Sequence, residues 1–198
     1  IVKTEALLDL EDQIISKHLE NINNIKSKTL HREFIEILSN PNVDNDNQIS
    51  DKIYFIIKKL YEIGEIGKAY RLIKDTDVIK ISDQEKINFF YFIELNYLFS
   101  TFKLSEVCEL KTSLLEESVI LPNFLLEKTD IFCLTLENKF AEAKLLNSLL
   151  KDSEISIDNN FQKLFDYMIL PKKGDITFDS ITLNKSKDLI FLYSAMLR

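Results

Sequence analysis

A short apolar pattern occurs three times in this chain with fixed internal spacing. Leu60, Ile66, Ala69 and Leu72 recur as Leu98, Leu104, Val107 and Leu110, and again as Leu134, Phe140, Ala143 and Leu146. The offsets are 38 and then 36 residues. A period of this size belongs to stacked helical hairpins, each of which buries its apolar side only against its neighbours. The constraint extends to function, because such stacks present extended surfaces that bind partners.

Composition points the same way. Only three Gly and three Pro occur in 198 residues, too few for the many turns of an all-β sandwich or barrel. Hydrophobic residues make up 45% of the chain, with fourteen Phe and seven Tyr, which is enough apolar surface for a stable core rather than disorder. The net charge is −7 and few of the 25 cations are Arg. That balance disfavours binding to nucleic-acid phosphates or anionic lipid surfaces. No apolar run reaches the ~18–20 residues of a membrane span, so no integral membrane segment is expected. The chain opens at Ile1 without Met or a signal peptide. It reads as a trimmed or processed product, and its location stays open.

Periodicity and capping residues predict about ten helices paired in order. The first two cover residues 3–19 and 29–39 and are followed by an Asn/Asp-rich acidic loop at 40–47. Asp44 and Asp46 alternate with Asn45 and Asn47 there, but the sixth and twelfth places hold Ile49 and Phe55. A calcium-binding EF-hand loop requires Gly and Glu at those places, so the loop reads as an ordinary connection. Ser50 is the expected cap of a helix reaching residue 63, with Gly64 and Gly67 allowing a tight turn into a partner over 66–74. Ser82 and Glu85 form a capping box for an aromatic helix ending near 100, paired with 104–117. Pro122 suits the first turn of a helix to 138, paired with 140–151. Asp158 caps a helix over 161–170, and a last helix covers 183–197.

Each repeated unit has a helix, a tight turn, and a second helix that begins with a large apolar residue and carries Ala or Val three places on. This resembles the tetratricopeptide repeat family, whose unit is about 34 residues long. Gly64, Ile66 and Ala69 carry the resemblance best, then Phe140 and Ala143. The match is degenerate: Ile57, Leu95 and Ile131 stand where the family has a small residue midway along the first helix. The resemblance implies an all-α superhelix, a solenoid of antiparallel hairpins whose first helices line a concave partner-binding face. Carried over position by position, that face comprises Tyr54, Lys58, Tyr61, Phe89, Phe92 and Asn96. The implied layout is an N-terminal helical pair with the acidic loop over 1–49, three tetratricopeptide-like hairpins over 50–151, and capping helices over 152–198.

Residues that would carry chemistry are sparse. His18 and His31 lie on different helices without metal-ligand spacing, and Cys108 and Cys133 sit outside any CxxC or cluster. Each cysteine lies in an apolar helical stretch, where a free thiol behaves as a small hydrophobe; a disulfide between them is conceivable but requires Cα atoms within about 7 Å, which the sequence does not support, and redox compartment stays open. No nucleophile elbow, HExxH, dinucleotide fingerprint or phosphate loop is present. Adjacent carboxylates such as Glu116 and Glu117 point about 100° apart on a helix. The expectation is a non-catalytic scaffold without metal or cofactor, holding a partner peptide or helix. The alternative is a structural module that assembles with its own copies or within a larger complex, favoured if Leu189, Ile190, Leu192, Tyr193 and Met196 form an exposed apolar edge. An enzyme built from residues distant in sequence ranks below both.

Overall fold

A computed structural model describes residues 17, 19, 27–39, 51–75, 83–153, 158–169 and 189–198. All regular structure among them is helical. We label the helices α1 (Lys28–Ser39), α2 (Asp51–Glu62), α3 (Ile66–Asp75), α4 (Gln84–Ser100), α5 (Leu104–Glu116), α6 (Leu125–Leu136), α7 (Phe140–Ser153), α8 (Asn159–Ile169) and α9 (Ile190–Met196). A 3-10 turn, Pro122–Phe124, precedes α6. The chain divides into two compact units, Ile1–Glu94 and Leu95–Arg198, so the division falls inside α4. The acidic loop at 40–47, the Ser50 cap, His18 and the start of the expected last helix lie outside the described residues.

The threefold pattern maps onto three equivalent turns. The Leu60 carbonyl accepts from Glu65 N–H at 2.8 Å, and Tyr61 from Gly64 at 3.0 Å. Leu98 accepts from Lys103 and Phe99 from Phe102, at 3.0 and 3.1 Å; Leu134 accepts from Lys139 and Thr135 from Asn138, at 2.9 and 3.1 Å. These paired bonds are those of the Schellman helix ending, which satisfies carbonyls orphaned in the last turn and places one residue in the left-handed region. That residue is Gly64 (φ 89°), Phe102 (φ 54°) or Asn138 (φ 60°). The next helix then starts at once. The carbonyls of Glu65, Lys103 and Lys139 accept from Ala69, Val107 and Ala143, each at 3.0 Å.

The repeated pattern is thus a folding instruction read at the backbone. Its leading Leu supplies the last-turn carbonyl, and its small residue donates an early N–H of the following helix. Ala69, Val107 and Ala143 are all fully buried, which fits a role in close helix approach. The large residue that opens the second helix is less uniform: Ile66 and Leu104 are half-buried, whereas Phe140 is 38% exposed.

Two expected helix starts differ in detail. Ser82 lies outside the described residues, and the cap of α4 is Asp83, whose Oδ1 accepts from Glu85 N–H at 3.0 Å and from Lys86 N–H at 3.4 Å. A carboxylate one residue later serves both orphan donors, and its charge suits the positive end of the helix. Pro122 opens a 3-10 turn rather than an α-helix. Asn123 and Phe124 take φ of 55° and 56° in succession, and α6 begins only at Leu125.

In the first unit, α2 packs on α3, and α1 lies against both. The core gathers Leu38, Ile56, Ile57, Leu60, Ala69, Ile73, Phe90 and Ile93. In the second unit α6 is the hub, packed against α5, α7 and α8. It is buried on most of its circumference, including Leu125, Lys128, Thr129, Phe132 and Cys133. A helix wetted on so little of its surface must satisfy its polar side chains internally. Thr129 and Thr135 do so by donating to the carbonyls of Leu125 and Ile131, at 2.6 and 2.8 Å. The last helix packs on α8 and buries Leu189, Leu192, Tyr193 and Met196; of the large apolar residues over 189–198 only Ile190 and Leu197 are exposed. The exposed apolar edge considered for α9 is therefore absent.

Candidate functional site

On α2, Tyr54, Lys58 and Tyr61 fall at i, i+4 and i+7 and so share one stripe. On α4, Phe89 and Phe92 lie one turn apart. The fold brings the four rings together. Ring centres of Tyr54 and Phe89 are 5.5 Å apart, those of Tyr61 and Phe92 5.6 Å, and those of Tyr61 and Phe89 6.1 Å, all edge-to-face. Phe89 and Phe92 stack at 6.4 Å. Such pairs add about 0.5–1.5 kcal/mol each beyond their area burial. The rings pack on the core of the first unit from outside and keep part of their surface in solvent.

Charge at this face is modest and positive. Lys86 Nζ lies 5.8 Å from the centre of the Tyr54 ring and pairs with Asp83 at 3.3 Å. Lys58 is half-buried and forms no ion pair among the described residues. Burial raises the pKa of the Tyr61 hydroxyl, which keeps it a neutral donor at ordinary pH. Asn96, the sixth expected residue, is only 2% exposed and belongs to the second unit. Its burial leaves it little surface to offer, and of the six expected residues Tyr54, Lys58, Tyr61, Phe89 and Phe92 are the partly exposed ones.

Sequence reasoning missed a polar centre in the second unit. Lys128, 2% exposed, donates to Asp158 Oδ2 at 2.8 Å and to the Asn123 carbonyl at 3.0 Å, and lies 5.5 Å from the Phe161 ring centre. Tyr193 donates its hydroxyl to the same Asp158 oxygen at 2.5 Å. The other oxygen of Asp158 caps α8 through Phe161 N–H at 3.0 Å, as the sequence predicts for that residue. Burial pushes the Asp158 pKa upward, but the Lys128 ammonium, the Phe161 N–H and the Tyr193 hydroxyl outweigh it and hold the carboxyl below its usual range. The Asp158 carboxylate thereby ties α6, α8 and α9 together, and Lys128 adds the 3-10 turn through the Asn123 carbonyl. The signal in the sequence was a Lys on an otherwise apolar stripe of α6, but Asp158 lies 30 residues from Lys128 and 35 from Tyr193.

This centre has the residue types of proton-transfer chemistry but a closed geometry. Lys128 is enclosed, and Asp158 already accepts from three donors. The second unit holds further ties: Lys111 to Asp130 at 2.8 Å, and a reciprocal amide pair between Asn147 and Gln162 at 2.8 and 2.9 Å. Cys108 and Cys133 are joined in a disulfide, with Cα atoms 5.7 Å apart, the pairing that the sequence left open without supporting. His31 is half-buried on α1, and no group of three metal-ligating side chains occurs among the described residues. No helix among them is long and apolar enough to cross a membrane.

Comparison with known protein families, with curated proteins and with solved structures finds no match to this chain.

Proposed function

We propose that this protein is a non-catalytic binding module of the tetratricopeptide-like solenoid type, which holds a partner peptide or helix against Tyr54, Lys58, Tyr61, Phe89 and Phe92. The observation that carries the reading is the half-buried ring cluster on α2 and α4. Aromatic side chains offer large contact area at low conformational cost and are enriched among residues that dominate binding energy. The three equivalent turns support the repeat character of the fold. The test is capture of partners by the wild-type chain, by Tyr54→Ala/Tyr61→Ala and by Lys58→Glu. The last variant leaves the ring packing intact and so separates binding from folding. A partner held by the wild type and weakened roughly tenfold or more in both variants, at unchanged helical circular dichroism, supports the reading. Equal capture by all three refutes the face assignment.

A second reading, assembly with copies of the chain or within a larger complex, draws on α7. Its Leu145 and Leu149 are 62% and 54% exposed and one turn apart, and leucines of this kind are common in subunit contacts. Sedimentation equilibrium of the wild type and of Leu145→Glu/Leu149→Glu tests it. A dimer that dissociates in the variant supports assembly, and a concentration-independent monomer removes it.

A further inference from the structure

We propose that this protein matures and works in an oxidising compartment outside the cytosol, where Cys108 and Cys133 are joined during folding by a dithiol–disulfide oxidoreductase. These are the only two cysteines of the chain. A folded residue touches about 6–12 others, so two arbitrary positions in a chain of this length meet in roughly one case in twenty. Meeting with Cα atoms 5.7 Å apart, inside the range a disulfide requires, is rarer still.

Their setting is that of a structural cross-link. Cys108 lies on α5 and Cys133 on α6, 25 residues apart in sequence. One turn further along α5 and one turn back along α6, Lys111 pairs with Asp130. The covalent and ionic ties are thus successive rungs between two antiparallel helices. Catalytic and sensing cysteines sit instead at exposed helix N-termini, in CxxC pairs or beside activating cations. Cys133 is fully buried in the ninth position of its helix, Cys108 is half-buried in the fifth position of α5, and Lys111, one turn on from Cys108, is engaged by Asp130. No grouping of three metal-ligating side chains occurs among the described residues. Structural disulfides persist in exported proteins and are rare where glutathione and thioredoxin keep thiols reduced.

The chemistry is an exchange. The thiolate of one cysteine attacks a sulfur of the oxidoreductase disulfide, forming a mixed disulfide and releasing one of its thiols. The second cysteine attacks the bonded sulfur of its partner, closing the Cys108–Cys133 bond and releasing the other thiol. Two cysteine thiols lose two electrons and two protons, and the oxidoreductase gains them as a dithiol. Burial of Cys133 places this exchange before α5 and α6 close on each other.

The test is thiol trapping of the full-length native protein in its own unstressed cells. Cells are quenched in acid, the chain is denatured in a mass-tagged maleimide, and the same is repeated after reduction. The expected result is no tag before reduction and two tags after it, with the protein fractionating outside the cytosol. Two tags before reduction overturn the proposal. So does an oxidised chain found in the cytosolic fraction, or a bond that appears only after oxidant stress, which would mark a cytosolic redox response instead.

Discussion

The two units solve the problem of stability differently. Among the described residues, the centre of the first is mainly apolar, with Ile56, Ile57, Leu60, Phe90 and Ile93 fully or nearly fully buried; Lys59 is enclosed and paired with Glu62, Glu94 pairs with Lys74, and the unit finishes in a layer of half-wet rings. The second adds specific ties to its apolar core: a disulfide, an enclosed ammonium–carboxylate–phenol centre, a cross-helix ion pair and an amide pair. Apolar packing is tolerant of geometry, whereas covalent bonds and buried polar networks are satisfied in one arrangement only. Among the described residues, then, the first unit leaves aromatic rings partly in solvent, and the second carries more ties between segments far apart in the chain.

Removing a lock should produce the largest effect. Lys128→Met leaves Asp158 and the Asn123 carbonyl without their cation, and loss of one member of a buried pair costs about 3–5 kcal/mol. Urea unfolding should show that loss. A change below about 1 kcal/mol would mean that the centre is wetter than its geometry implies. Lys58→Met, on the first unit's surface, should stay within about 0.5 kcal/mol.

Reduction of Cys108–Cys133 comes next. Opening a cross-link that spans 25 residues should cost about 3 kcal/mol through the entropy returned to the unfolded chain. Thermal melts with and without reductant measure it. Ring contacts of the first unit, followed by near-ultraviolet circular dichroism, should survive reduction at room temperature.

Acid and alkali should then tell the units apart. The Asp158 carboxyl is lowered on folding, so the stability it contributes is complete above the ordinary carboxylate value near 3.9 and is lost as pH falls through that value towards its folded pKa. The urea midpoint of the wild type should fall in that window, and Asp158→Asn should flatten the response. Tyr61 has the opposite sign. Its raised pKa favours the neutral phenol in the folded chain, so its contribution is complete below about pH 10 and lost above it. Phenolate absorbance should include a late-titrating group that Tyr61→Phe removes.

The smallest effect concerns the turns. Asn138→Gly relieves a left-handed backbone that only Gly adopts freely and should stabilise by about 0.5–1 kcal/mol. Phe102→Gly relieves a similar strain but loses the Arg198 guanidinium, 3.7 Å from the Phe102 ring centre, so it should gain less. Equal gains at both positions, read by thermal melts, would show that the stacking contributes nothing.

Part of this molecule was legible before any coordinates. The positions of Leu60, Leu98 and Leu134 marked three helix endings because the Schellman turn is a local object: six consecutive residues contain all of its bonds. Ala69, Val107 and Ala143 announced close packing because small size at a fixed offset is visible in a string of letters. Asp158 was readable as a cap for the same reason, since its acceptor serves a donor three residues away. Tyr54, Tyr61, Phe89 and Phe92, which the family resemblance placed on one face, have their rings in contact.

What the tertiary structure alone decided are pairings between segments far apart in the chain. Nothing near Cys108 names Cys133, nothing near Lys128 names Asp158 or Tyr193, and the burial that withdraws Asn96 from the face is imposed by neighbours, not by its own helix. Local hydrogen bonding and side-chain periodicity are written within one or two turns of chain, so sequence determines helices, turns and caps. Which helix meets which, and therefore which polar groups lose water and must find partners, depends on the sum of many weak apolar contacts that exists only once the chain has folded.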